Sequence, residues 1–448
     1  MLNNFKSLFL FLDRVFITYC VLCCIVSCGT LDENKLDEQT KPDYKISVSE
    51  YDIESSPDYI VNSITLPNGE IIAARNGGKV VKIDTNNKET VMLCINGASD
   101  WRGLFKDSHN NVFISPHSSA GGSIAMSERG IYKLAYGTSY FKKVHSLYDV
   151  SSNILAEREK NDDCIWTFCE DDQGGLYAGI YAHTLHENPC ILKSIDEGEN
   201  WQVLVNFNEN YTYHGQHIHS VVYSNFNKSL YAIIGEINTI IMSKAYGKTW
   251  VNLNVHLTDK GSSMLPTKLG LLIGSDSAYN CEINLLLYDN KTIVNVEKIW
   301  ANTVFSIRIS DLSGYIYAFT KIDSSVRDTL YFPPSAAIQN PLVLNKWKMN
   351  AKDKYRIDWE NYYNSIINKY PDDAIRPRNC AILISKDNGL SWNILSKMFV
   401  DSNEPSGFWT TGYFNKGKCL TGFFTSTDNW VKANHPYIIS EELTYSTK

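Results

Sequence analysis

The sequence predicts an all-β chain built as a seven-bladed β-propeller, with six blades as the alternative count and a helical insertion in blade six. Three observations predict this. First, the skeleton Ser-x-Asp-x-Gly-x-x-Trp occurs twice, as "SIDEGENW" (194–201) and "SKDNGLSW" (385–392). The number of matches expected by chance is on the order of one in a thousand. Second, "SKAYGKTW" (243–250) keeps the Ser, Gly and Trp 49 residues after the first copy, and "KLAYGTSY" (133–140) and "STDNW" (426–430) carry fainter traces. Third, the clear copies follow short β-rich runs such as "CILKS", "TIIMS" and "CAILIS", and ahead of these lie hairpins such as "WTFCEDDQGGLYAGIY" and "HSVVYSNFNKSLYAII". Four strands in about 40–60 residues is the length of one propeller blade.

Taken from the N-terminus, residues 1–27 read as a signal peptide. Lys6 and Arg14 precede a short apolar run that is too short to span a bilayer. Its end, Ile25-Val26-Ser27-Cys28, resembles the lipobox of bacterial lipoproteins, and the resemblance implies cleavage before Cys28 and acylation of its thiol. A plain signal peptide or an uncleaved anchor is the other reading. Residues 28–43 are polar and read as a flexible tether, whose acidic character resembles the surface-export signal of Bacteroidetes lipoproteins. The expected location is the cell envelope, lipid-anchored at the outer membrane, periplasmic or surface-exposed. A net charge of −7 argues against a nucleic-acid partner. The seven cysteines after Cys28 show no disulfide framework, and buried thiols are expected for most.

Residues 44–448 then divide into blades at roughly 57–93, 94–150, 160–208, 213–256, 260–300, 301–398 and 403–440. The two full copies of the skeleton lie 191 residues apart, about 44 more than three steps of 49. The excess falls at about 324–375, where the spacing of apolar residues is helical. An early strand within 44–53 is expected to close the last blade.

The repeated skeleton resembles the Asp-box, or BNR, repeat of sialidase-like β-propellers. Its residues make sense as a turn. Ser194, Asp196, Ser385 and Asp387 can bond backbone amides, Gly198 and Gly389 supply positive φ, and Trp201 and Trp392 start the next strand and pack between blades. Nothing in that set requires a substrate. The turn joins strands C and D, so it also marks a face. The resemblance implies ligand binding on the opposite face, where strands A start, strands B end and blades are linked.

On that opposite face the sequence places Arg75, Arg102, His117, Tyr181, His183, His186, His214, His217, His219, Glu236 and Asp276, which include six of the ten histidines. His217 and His219 flank one residue of a strand and should point the same way. They can act as a general base, hold a divalent metal with His214, Glu236 or Asp276, or simply bond carbonyls and fill the channel mouth. A metal is compatible, and none is required by the sequence.

Three chemistries compete. A lyase needs a His or Tyr base and a cation, which His217, His219, Tyr181 and Arg102 supply in kind. A glycosidase needs a carboxylate pair, for which Glu236 and Asp276 are the candidates. Sialidase chemistry fits less well, because Arg75, Arg102 and Arg376 cannot be assigned to an arginine triad and no Phe-Arg-Ile-Pro-like motif opens blade one. Substrate contacts are assigned to Arg75, Arg102, His117, Tyr181 and His183, and catalytic roles to His217, His219, Glu236 and Asp276. The expected partners are a glycan and, through the lipid alone, a membrane, with the chain a monomer. The alternatives are a non-catalytic glycan- or protein-binding scaffold with Trp101 and Trp409 as a stacking platform, or an assembly factor.

Overall fold

A computed structural model of the chain describes residues 42–50, 60–98, 101, 103–117, 124–147, 164–181, 189–207, 217–235, 239–255, 257, 260–276, 281–299, 303–321, 379–399, 406–425 and 433–444. The signal peptide, Cys28 and most of the tether fall outside these residues, as does the segment expected to be helical at about 324–375. By contacts the chain divides into Ile46–Glu442, which holds the blades, and a small unit whose described part is two strand ends, with the Thr444 hydroxyl donating to the Asp43 carbonyl (2.7 Å).

Seven four-stranded antiparallel blades make up the fold; blades one to five are separate sheets, and blades six and seven are joined into one eight-stranded sheet through the pair Lys321 and Gly407. Their innermost strands A are Ile60–Thr65, Leu104–Lys106, Cys164–Glu170, Ile218–Ser224, Gly261–Pro266, Thr303–Ile309 and Ser406–Thr411. Blade seven is closed by the early strand Asp43–Glu50, which pairs beside Ala433–Thr444. The helical element described in full is a 3-10 turn at Met126–Glu128, and among the described residues no helix is long and apolar enough to cross a membrane.

Alternating Val, Ile, Leu, Tyr and Phe give the inner strands two apolar faces, because both sides of an inner strand meet a neighbouring blade. Strands Ile60–Thr65, Ile71–Arg75, Leu176–Tyr181 and Ser229–Ile234 are almost wholly buried. Each core cluster lies between blades; one joins Phe113 and Ile131 of blade two to Ile165, Leu176 and Trp201 of blade three.

The repeated turn folds the same way at each site. In blade three the Ser194 hydroxyl donates to Asp196 (2.8 Å) and accepts the Gly198 amide (3.0 Å), Asp196 accepts the Asn200 amide (2.9 Å), and the Trp201 indole donates to the Gly198 carbonyl (3.0 Å). Blade six repeats these bonds with Ser385, Asp387, Gly389, Ser391 and Trp392. Blade four keeps the bonds of Ser243, Gly247 and Trp250, and Ala245 costs it only the carboxylate bonds. The glycine is required twice over. Its φ is +81° at Gly198, and a Cβ there would lie 2.2 Å from the Phe113 ring of blade two.

A second repeat was not foreseen from the sequence. In five blades the pairing of strand A with strand B slips near the start of strand A, leaving an unpaired bulge residue at Val61, Trp166, His219, Ser262 and Phe305, and blade seven has a bulge at 409–410, nearer the end of its strand. Such a bulge bends the strand and re-aims a side chain. The next residue is polar, and it ties its strand A to the strand A of the next blade or to the link that leads into it. Thr167 donates to the Val221 carbonyl (3.2 Å), Ser263 to Val304 (2.8 Å) and Asn62 to Trp101 (3.4 Å). Six described cysteines carry free thiols, all buried except Cys94.

Candidate functional site

The central channel holds a cavity of about 380 Å³, lined by strand A residues of blades two to six and by Tyr413 of blade seven. Four bulge residues, Trp166, His219, Ser262 and Phe305, line it. Val61 instead packs into the core between blades one and two.

At the mouth, on the face away from the repeated turn, aromatic and imidazole rings stack. Trp166 lies flat on Tyr181, with centroids 3.5 Å apart and planes 11° apart. Tyr181 in turn covers His217 at 3.9 Å, and His117 meets both Trp166 and Tyr181 edge-on. His217 and His219 are nearly fully buried, and their Nε2 atoms are 2.8 Å apart. His219 Nδ1 lies 2.7 Å from the Gly261 carbonyl of blade five.

These distances assign the protons. A carbonyl only accepts, so His219 carries its proton on Nδ1. When His219 is neutral its Nε2 is an acceptor, and His217 Nε2–H donates to it. One added proton can sit on His217 Nδ1, with His217 Nε2–H still donating, or on His219 Nε2, with His217 Nε2 accepting. A second added proton would set two N–H groups against each other. The pair therefore holds at most one positive charge and can pass one proton, which is acid–base capacity. Gly235, at the end of strand B, makes room for it. Its amide donates to the His217 carbonyl (2.8 Å), and a Cβ there would lie 2.5–2.7 Å from ring atoms of both histidines.

The other assigned residues divide into two groups. Arg75 is buried with its guanidinium paired to Glu89 of its own blade, so blade one uses that charge internally. Asp276 ends strand B of blade five, half-buried, with its amide donating to the Lys260 carbonyl (2.5 Å). Arg102, His183, His186, His214, Glu236 and Arg376 lie outside the described residues, as does the side chain of Trp409. Trp101 is fully buried among blades one and two, so it offers no stacking face; the motif "DWR" looked exposed because it sits in a blade-to-blade link. Among the described residues, no three His, Cys, Asp or Glu side chains are placed to hold a metal ion.

Trp166, Ser262 and Phe305 were missed in the sequence. The signal was present, because each precedes a Ser or Thr by one position early in its strand A, but it emerges only once the blades are aligned on their bulges.

No protein-family model matches the chain, and no curated protein matches it in sequence. Among solved structures it is similar to virginiamycin B lyase from Staphylococcus aureus, with a TM-score of 0.51 and 8% identity over 89% of this chain and 99% of that one. It is also similar to the WD40 β-propeller domain of Doa1, with a TM-score of 0.50 and 8% identity over 90% and 98%. A GH74 enzyme of Niastella koreensis aligns with a TM-score of 0.47 and 10% identity over 86% and 60%. What the first two share with this chain is the β-propeller fold.

Proposed function

We propose that this chain is a lipid-anchored envelope propeller of the Asp-box type that takes a glycan at the channel mouth built by Trp166, Tyr181, His217 and His219. One observation carries the reading: a proton-sharing imidazole pair is stacked with aromatic rings at the opening of a cavity. Aromatic faces suit the C–H faces of sugar rings, and the imidazole pair supplies an acid or base beside them. The Ile25-Val26-Ser27-Cys28 stretch and the polar tether support anchoring, which suits capture of an extracellular polymer.

A second reading, a glycan-binding module without turnover, has its own observation. His219 spends Nδ1 on the Gly261 carbonyl, and both histidines are nearly closed off from solvent. The two separate in one experiment. Wild type, His217→Ala and His219→Ala are tested on a panel of acidic and neutral glycans, with calorimetry for binding and product analysis for turnover. Turnover lost in the variants identifies an enzyme. Binding without turnover in any of the three proteins identifies a module. If wild type neither binds nor turns over any glycan, the reading fails. Incorporation of labelled fatty acid in wild type, lost in Cys28→Ala, tests the anchor separately.

A further inference from the structure

The same cavity carries, away from the mouth, a cation with no acidic partner among the described residues. Arg308 is the last residue but one of strand A in blade six, at the end nearer the A–B turn. Its guanidinium lies over the Tyr413 ring, 4.5 Å from the centroid. Its hydrogen bond to protein is a long one, from Nη1 to the Ile307 carbonyl (3.3 Å), while the buried Nε–H has no acceptor. That buried N–H is costly where it lies, and it is the Nη groups of Arg308 that a molecule in the cavity would meet.

The nearby acids are already committed. Asp311 accepts the amides of Lys416 (2.8 Å) and Gly417 (3.1 Å). Glu441 accepts the hydroxyls of Ser310 (2.6 Å), Ser313 (2.7 Å) and Tyr317 (2.5 Å). Glu170, which also lines the cavity, has both oxygens taken by the Ser108 amide (2.7 Å) and hydroxyl (2.6 Å). A second cation, Lys106, ends strand A of blade two and lines the same cavity, spending one donor on Asn110 (3.0 Å). Phe105 stands edge-on to Tyr413 at 6.4 Å and completes an aromatic wall.

We infer that this part of the channel is a binding site for a small organic oxyanion, a carboxylate or phosphate on a ring-sized body, held by the forked N–H groups of Arg308, with Lys106 adding charge and Phe105 and Tyr413 covering the ring. A planar guanidinium matches either oxyanion in bidentate fashion, and the aromatic wall accounts for the organic body. The cavity volume of about 380 Å³ suits one sugar-sized ring. The site uses neither His217 nor His219, so it stands whether or not the mouth takes a glycan.

Calorimetry with glucuronate, glucose 6-phosphate and glucose tests it on the full chain. Glucuronate or glucose 6-phosphate should bind wild type, and glucose should bind roughly tenfold more weakly or not at all, since its neutral group leaves Arg308 unpaired. The tighter of the two anions identifies the source of the oxyanion. Arg308→Gln should weaken the anion by roughly tenfold or more, Arg308→Lys by less because it keeps the charge without the fork, and Lys106→Met by less than Arg308→Gln. If Arg308→Gln unfolds the protein, the wild-type preference for anion over glucose and the Arg308→Lys affinity still decide. Equal binding of glucose and both anions, absence of binding by either anion, or wild-type affinity in a folded Arg308→Gln protein would overturn the site.

Discussion

The two faces of this propeller are built on opposite plans. On the face of the repeated turn, blades three, four and six reuse one set of bonds, and even the loss of the carboxylate at Ala245 leaves the turn in place. At the mouth, the blades share a backbone device, the bulge in strand A, but fill it with Val61, Trp166, His219, Ser262 or Phe305. Where a fold needs the same mechanical joint in each blade, the residue repeats. Where the backbone only presents a side chain, the residue is free to differ, and chemistry can be placed there. Repetition in this chain therefore marks stability, and variation at an equivalent position marks the candidate site.

Substitutions can break that contrast. The largest effect should come from Trp201→Ala on the turn face. Trp201 is buried edge-on to Phe113 and Phe168, at 6.1 and 6.0 Å, and its loss should cost about 3–5 kcal/mol in urea unfolding. Gly198→Ala should follow at about 3 kcal/mol, because it combines a strained positive φ with a collision against Phe113.

At the mouth, Gly235→Ala should cost less, about 1–3 kcal/mol, since imidazole rings can shift where a packed core cannot. It should nevertheless abolish ligand capture at the mouth while the fold persists by circular dichroism. If Gly235→Ala unfolds the protein as readily as Trp201→Ala, the mouth is a joint like the turn and the contrast fails. Side-chain nitrogen NMR provides a check without substitution: His219 should show the Nδ1–H form at neutral pH, and His217→Ala should leave that proton in place.

The smallest effect should be that of Asp196→Ala, about 1 kcal/mol or less for so exposed a carboxylate. Its sign with pH follows from the Asn200 side chain and amide, which donate to Asp196 and hold its pKa below the ordinary 3.8. A depressed carboxylate stabilises the fold above its unfolded pKa, and that contribution is lost as pH falls through the lower folded value. The difference between wild type and Asp196→Ala in thermal midpoint should therefore be present at neutral pH and shrink below 3.8. Lys244→Ala in blade four, where Ala245 holds no carboxylate, should show no such trend.

The blades were legible because their signals are local. A strand of alternating Val, Ile and Tyr, a turn with Gly at positive φ and a Trp beginning the next strand each lie within a few residues, so "CILKS" and "TIIMS" fall within the observed strands Cys190–Ser194 and Thr239–Ser243. The orientation of the faces followed from them, and with it the attention to His217 and His219. Three features were not legible. Arg75 looked available for a substrate because the sequence does not show that Glu89, fourteen residues away, reaches back to it. Trp101 looked like a platform because burial in a link depends on two blades meeting. Arg308 was passed over because a lone cation in a strand is ordinary until its neighbours' carboxylates are seen to be engaged elsewhere.

The sequence by itself determined the blade, its turn and the number of repeats, since these depend on backbone preference and short-range hydrogen bonds. Only the tertiary structure decided which side chains share the channel. Trp166, His219, Phe305 and Arg308 come from three different blades up to 142 residues apart, and closing the ring brings them to one cavity. Proximity of that kind comes from packing between sheets, where burial and partner choice are set by residues distant in the chain, and no local pattern encodes it.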